Sequence, residues 1–432
     1  MSLADQASLL LIPTGYKSQK VYSIFPTDGD GDFDFSRSSS ATRIAKNGLI
    51  TTVAANVPRL EYPLIDGVVN GCPSLILEPQ RTNLIPYSEE FDNAAWSKFR
   101  SSISPNTAIS LDGTLNADKL IDTSVSGTHG MEDTISSLSS GSKYTYSIFA
   151  KADEIKQVGL LLATQGRIFD LENGTILDEF IAAPDASKIE DYGNGWYRCS
   201  ITITLNATSA KTSVYLSKNN NITFTGDGTS GVYIWGAQLE VGSYPTSYIP
   251  TNGSAVTRSA EVADGSGDAD TFNDSEGVLM AEIAYPNPTT SSNLRLAISD
   301  GTDANRILIQ NVSSTSNRLQ FYLISNYTTS TNFYTNLSDI TSFNKIVFKY
   351  KTNDFSVWIN GFQVLTDTSG STFSDGTLNE LAFDGGSGGN DFYGNTKQIQ
   401  YYDSALTDSE LEQLTSWVSF SDMAEGQLYT IE

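Results

Sequence analysis

Apolar and polar residues alternate with a period of two through most of the chain, in short runs broken by Gly, Asn, Asp and Pro. That is the pattern of half-buried β-strands. Residues 144–150 alternate, and runs at 158–163, 167–170, 175–181, 197–204, 212–216 and 231–240 follow at turn-punctuated intervals. Six to eight strands at this spacing predict a two-sheet sandwich. A second series covers 278–284, 294–298, 306–310, 319–324, 345–350, 355–359 and 362–365. Asn360-Gly361 between the last two predicts a tight hairpin, because both residues accept positive φ. One helix is predicted near the carboxy terminus. Thr407 and Glu410 form a capping box, and Leu411, Leu414 and Trp417 or Val418 recur at helical spacing.

The stretch 74–96 divides the chain. Leu75-Ile76-Leu77 predicts a strand buried on both faces, and Pro79 and Pro86 cannot sit in a central strand. Glu78 and Arg81 are close enough in sequence to pair, or the arginine reaches a neighbouring chain. Upstream, Lys46-Asn47-Gly48 predicts a hairpin. With little apolar material, residues 1–84 are expected to be an irregular, strand-rich arm ordered by neighbours, with Arg37, Arg43, Arg59 and Arg81 as anchoring or oligomer contacts. Residues 253–274, rich in Gly, Ser, Asp and Asn, are expected to be a linker. The predicted organisation is thus all-β: an arm at 1–84, a jelly-roll sandwich at 85–252, a linker at 253–274, a second sandwich at 275–420 and a polar tail at 421–432.

Charge narrows the partners. The formal net charge is −24, and from Ser259 onward 7 Lys and Arg face 23 Asp and Glu. Phosphate binding needs clustered cations, so nucleic acid is excluded as a partner, and anionic membrane surfaces are disfavoured. No apolar run is long enough to span a membrane, and the apolar run at 9–12 is too short for a secretory leader. Cys72 and Cys199, the only cysteines, are expected to be reduced core residues. One histidine, His129, and two distant cysteines argue against zinc. The acidic run Asp28, Asp30, Asp32 has Phe33 and Ser39 where a calcium loop of the EF-hand type needs Gly and Glu, so it reads as an acidic turn. No metal or other cofactor is expected.

The run CPSLILEPQRTNLIPYSEEFDNAAW at 72–96, with FSRSSSATRIAKNGLITTVAANVPRLEY at 35–62, resembles a segment recurrent in bacteriophage and prophage virion proteins. There it joins an amino-terminal region to a carbohydrate-binding-module-like jelly roll. Residues 193–198 (GNGWYR) and 233–250 (YIWGAQLEVGSYPTSYIP) resemble signatures of that jelly roll. FSVWING at 355–361, with 389–394 and 398–402, resembles strands of laminin-G-like and concanavalin-A-like sandwiches. The resemblance implies a virion fibre, collar or decoration protein made in the host cytoplasm, a homo-oligomer with a trimer favoured, whose partners are other virion proteins and host-surface glycan.

Candidate chemistry is sparse. Nucleophile elbows, phosphate loops and metal-binding histidine motifs are absent, as is the Glu-x-Asp-x-x-Glu pattern of glycanases with a concanavalin-like fold. The reading is therefore a non-enzyme that binds glycan. A tail-associated polysaccharide depolymerase and a purely architectural virion protein are the alternatives. Trp196 and Trp235 offer sugar-stacking faces, but each lies inside a strand pattern, which favours core packing. Tyr327 and Tyr334, with Asn326 and Asn332, are read as loop residues that bind sugar or line a subunit contact.

Overall fold

The period-two runs become strands almost wherever the alternation predicts them. The computed structural model describes residues 3–417, so Val418 and the tail at 421–432 lie outside the described residues. The chain is all-β, and its one α-helix among the described residues is Asp408–Thr415. Glu410 reaches back to accept from the Thr407 amide at 2.8 Å and the Thr407 hydroxyl at 2.7 Å. Leu411 anchors the helix against Val278, Met280, Val347 and Trp358. No helix among the described residues is long and apolar enough to cross a membrane.

Two six-stranded sheets form the first sandwich. Its central strand, Ser142–Ala152, pairs with Trp196–Leu205 on one side and Gly231–Val241 on the other. Alternation sends Tyr144, Tyr146 and Ile148 into the core against Val158, Leu160 and Val214 of the opposing sheet. Most outward residues at the middle of the strand are covered too, although Lys143 near its start is exposed. Phe149, Trp196 and Trp235 pack with Tyr248 and with Ile50 of the amino-terminal region. Both tryptophans are therefore core residues, as their strand context suggests. Cys199 is buried as expected, whereas Cys72 is exposed in the turn before Ser74–Leu77.

The second sandwich is an eight-stranded sheet over the five-stranded sheet that contains Arg318–Ser325 and Thr328–Asn336. Asn360 and Gly361 make its predicted hairpin with φ of 49° and 88°. The eight-stranded sheet corrects the expectation of an arm. Leu9–Leu11 and Ser74–Leu77 both add to the edge of Gly394–Tyr402, and Arg59–Glu61 extends the sheet beyond Ser74–Leu77. Leu9, Leu11, Leu75 and Leu77 enter one core with Leu279, Ile283, Ile399 and Tyr401. The segment is thus paired and packed within its own chain: apolar residues that are sparse locally complete a core built some 300 residues later.

The expected linker is also corrected. Val256–Arg258 pairs with Arg81–Asn83, and Val262–Asp264 pairs with Phe33–Ser36. Phe272 and Ala263 are buried in the second core. The first sandwich is inserted between two parts of the second, and 253–274 is the return crossing.

At the crossing lies a buried charge cluster. Glu261 accepts from Arg37 Nη1 at 2.6 Å, from Arg59 Nε at 2.8 Å and Nη2, and from the Glu78 amide at 2.9 Å. Glu78 in turn takes Arg59 at 2.8 Å and Arg258 at 2.7 Å. At Arg59 and Glu78 burial alone would weaken the charge, but the partners prevail: Glu261 and Glu78 raise Arg59, while Arg258 and Arg59 hold Glu78 well below the usual carboxylate range. At Arg37 burial prevails and lowers the guanidinium. Arg37 and Arg59 were expected to anchor the chain to a neighbour. They are buried within it, so neither side chain is available to another subunit. Nor does Glu78 pair with Arg81.

Candidate functional site

The five-stranded sheet turns one face to its core and leaves part of the other open. In Arg318–Ser325, Leu319, Phe321 and Leu323 point inward, which puts Arg318, Gln320 and Tyr322 outside. In the neighbouring Thr328–Asn336, Thr331 and Phe333 point inward and Asn332 and Tyr334 outward. The register sets Gln320 opposite Tyr334 and Gln310, and Gln310 opposite Arg295.

The outward side chains form a ladder across four strands. Arg295 Nε donates to Gln310 Oε1 at 2.7 Å, and Gln310 Nε2 to Gln320 Oε1 at 2.6 Å. Gln320 Nε2 then donates to Asn332 Oδ1 at 2.9 Å and to the Tyr334 hydroxyl at 2.5 Å. The Arg318 guanidinium lies 4.8 Å over the Tyr334 ring. The ring is thus braced by a cation on one face and a hydrogen bond at its tip, yet stays 41 % exposed. A fixed aromatic ring flanked by ordered amides can meet the apolar face of a polar ligand and hydrogen-bond its rim without losing much side-chain freedom on binding.

This geometry reorganises the four residues singled out from the sequence. Asn332 and Tyr334 come together on Gln320, but on a strand instead of a loop. Asn326 and Tyr327 form the tight turn before that strand, with φ of 49° and 61°. Seven residues at about 3.3 Å each put Tyr327 roughly 23 Å along from Tyr334, so the two rings do not stack on one sugar ring. Gln320, Arg318 and Gln310 escape the sequence reading, although strict alternation through 318–323 already marks Arg318 and Gln320 as outward. Of the remaining arginines, Arg43 is half-buried and donates to the Leu60 carbonyl at 3.1 Å, and Arg81 lies in a cleft between the sandwiches.

Other polar groups are structural. His129 is buried, its ring 4.6 Å from Phe224 and its Nδ1 2.6 Å from the Arg100 carbonyl. The Asp118 carboxyl, pushed up to about 6 by burial, accepts the backbone amides of Asn106 and Phe91. Among the described residues no group of three or more His, Cys, Asp or Glu is placed to hold a metal ion.

No known family matches the sequence, and no curated protein matches it. Solved structures that resemble parts of the chain include carbohydrate-binding modules and laminin G domains. The CBM40 module of the Ruminococcus gnavus IT-sialidase shares 15 % identity, covering 35 % of this chain and 94 % of that one, with a TM-score of 0.29. Domain 4 of the Geobacillus stearothermophilus arabinanase AbnA, solved with arabinotriose, shares 13 % over 40 % of this chain and 82 % of that one, at 0.30. Domains LG4-5 of the mouse laminin alpha1 chain share 9 % over 75 % of this chain and 94 % of that one, at 0.23. At such scores the likenesses carry no argument for function, which rests on the residues.

Proposed function

We propose that this protein is a non-catalytic glycan-binding component of a bacteriophage or prophage-derived particle, and that it meets sugar on the open face around Tyr334. The observation that carries the reading is the braced, exposed Tyr334 ring at the end of the amide ladder. The resemblance of 35–62 and 72–96 to a virion segment supports the particle role. A homo-oligomer belongs to this proposal, with a trimer implied by the same resemblance, and light scattering tests it.

Binding of host-surface polysaccharide fragments to the wild type and to Tyr334→Ala tests the site. A ring contact is worth on the order of 1 kcal/mol or more, so affinity should fall about tenfold. Asn332→Ala should weaken binding as well, and Tyr327→Ala should leave it level. Melting temperature should barely move in any of them, because exposed positions usually shift stability by less than about 0.5 kcal/mol. Unchanged affinity in Tyr334→Ala rejects the face. New reducing ends after incubation with host capsule would replace binding by depolymerisation, and normal adsorption by particles lacking the protein would favour a purely architectural role.

A further inference from the structure

A cleft of about 450 Å³ runs between the two sandwiches. The first contributes Arg81, Lys143, Gly242 and Tyr244; the second contributes the hydroxyl-rich stretch 289–292 and Tyr393. A neighbouring cleft of about 300 Å³ shares Ser243 and Tyr244 and continues past Thr202 and Asn287, so the groove extends beyond one sugar ring.

Its cations are underused. Arg81 Nη1 donates to the Gln80 carbonyl at 3.0 Å, but Nε is buried without a hydrogen-bond partner and Nη2 has none among the described residues. The nearest carboxylate oxygen, Glu240 Oε2, stands 3.7 Å from Nε. Glu240 is already engaged by Gln238 Nε2 at 2.6 Å, by the Thr246 amide at 2.9 Å and by the Thr246 hydroxyl at 2.6 Å. Asp391 accepts from the Tyr393 hydroxyl at 2.9 Å. Lys143 is exposed and makes no ion pair among the described residues. A Cβ at position 242 would stand 3.0 Å from Nη2 and 3.2 Å from Nε, so only glycine lets the backbone pack this closely beside the guanidinium. The Tyr244 ring lies 5.9 Å from the guanidinium.

Lys143, which has no ion pair among the described residues, and Arg81, whose Nε faces the buried Glu240 while Nη2 makes no hydrogen bond among them, stand beside an aromatic ring and a row of hydroxyls. That is a recognition set for a carboxylate carried on a sugar. The two cations stand out in a chain whose net charge is −24. We propose that this groove is a second site, separate from the Tyr334 face, that takes an acidic oligosaccharide, with the carboxylate at Arg81 and Lys143 and a ring beside Tyr244. The class of ligand rests on the glycan reading above, but the two sites share no residue.

The test uses the full chain, tri-galacturonate, its methyl ester and inorganic phosphate in titration calorimetry. Tri-galacturonate should bind about tenfold or more tightly than the neutral ester, and added salt should weaken it. Lys143→Ala and Arg81→Gln should each lower that affinity about tenfold, and Tyr334→Ala should not. Lys143 is exposed, so its variant keeps the fold even if Arg81→Gln does not, and melting curves on both check this. Equal affinity for acid and ester, or unchanged affinity in Lys143→Ala, overturns the site. Competition by phosphate at the same concentration as tri-galacturonate overturns the saccharide class. Loss of tri-galacturonate binding in Tyr334→Ala alone overturns the groove while sustaining the sheet face, and loss in the cation variants alone sustains the groove and leaves the sheet face to the polysaccharide test above.

Discussion

Replacing Glu261 by Gln tests how the chain holds its two sandwiches together. The carboxylate is the common acceptor for Arg37, Arg59 and the Glu78 amide, and it is fully buried. Glutamine keeps the shape but removes the charge, and its amide nitrogen then faces another donor. Arg59 retains Glu78 at 2.8 Å, whereas Arg37 loses its only carboxylate and keeps the carbonyls of Ser39 and Ala54. Removing one partner of a buried ion pair costs about 3–5 kcal/mol. The retained contacts put this case near the lower figure. For a cooperative unit of this size a loss of about 3 kcal/mol lowers the melting temperature by roughly 6–12 °C. Scanning calorimetry of wild type and Glu261→Gln at neutral pH measures it. Hydrogen exchange in Val262–Asp264 and Phe33–Ser36, the strands beside Glu261, should accelerate in the variant. A melting shift below about 2 °C would refute the reasoning, because the arginines would then be satisfied without this carboxylate.

A chain beginning at Ile85 should lose the second sandwich, since Leu9–Leu11, Arg59–Glu61 and Ser74–Leu77 go with it; an intact calorimetric transition for that sandwich would contradict the topology. Limited proteolysis should spare 253–274, whose strands are paired, and early cleavage there would restore the linker. Trp235→Ala should cost about 3–5 kcal/mol in denaturant unfolding with glycan affinity unchanged, the reverse of the effect expected at Tyr334. Acid should destabilise the junction. Glu78 titrates below its unfolded value, so its contribution is present above about pH 4.5 and is lost as the pH falls through its folded pKa. Glu61, pushed up to about 7 by burial, acts oppositely: it favours the folded state below its unfolded pKa, and that contribution is lost as the pH rises toward 7. Glu61→Gln should flatten this fall, by at most about 3 kcal/mol for a half-buried group, as read from unfolding curves at pH 4.5 and 7.5.

Alternation by itself determined the strands, because side chains on a pleat repeat every two residues whatever the strand pairs with. It therefore marked the inward face of Arg318–Ser325, whereas Trp196 and Trp235, on the outward face, are buried only because Tyr248 and Ile50 cover them. The Asn360-Gly361 hairpin and the Thr407–Glu410 cap were legible for the same reason: each is satisfied within a few residues. Pairing between distant segments was not legible. Leu9–Leu11 pairs with Gly394–Tyr402 near the other end of the chain, and nothing in its own neighbourhood encodes that partner. Glu261 sits in a stretch whose composition reads as solvent-loving, and only the convergence of Arg37, Arg59 and Glu78 makes its burial tolerable. The site follows the same division. Composition pointed to Tyr334 and Asn332, but register alone set them on Gln320, and the meeting of two sandwiches alone put Arg81 and Lys143 beside Tyr244 in one groove. Local pattern fixes which face of a strand a residue occupies; the long-range closure of the sheets decides what that face meets.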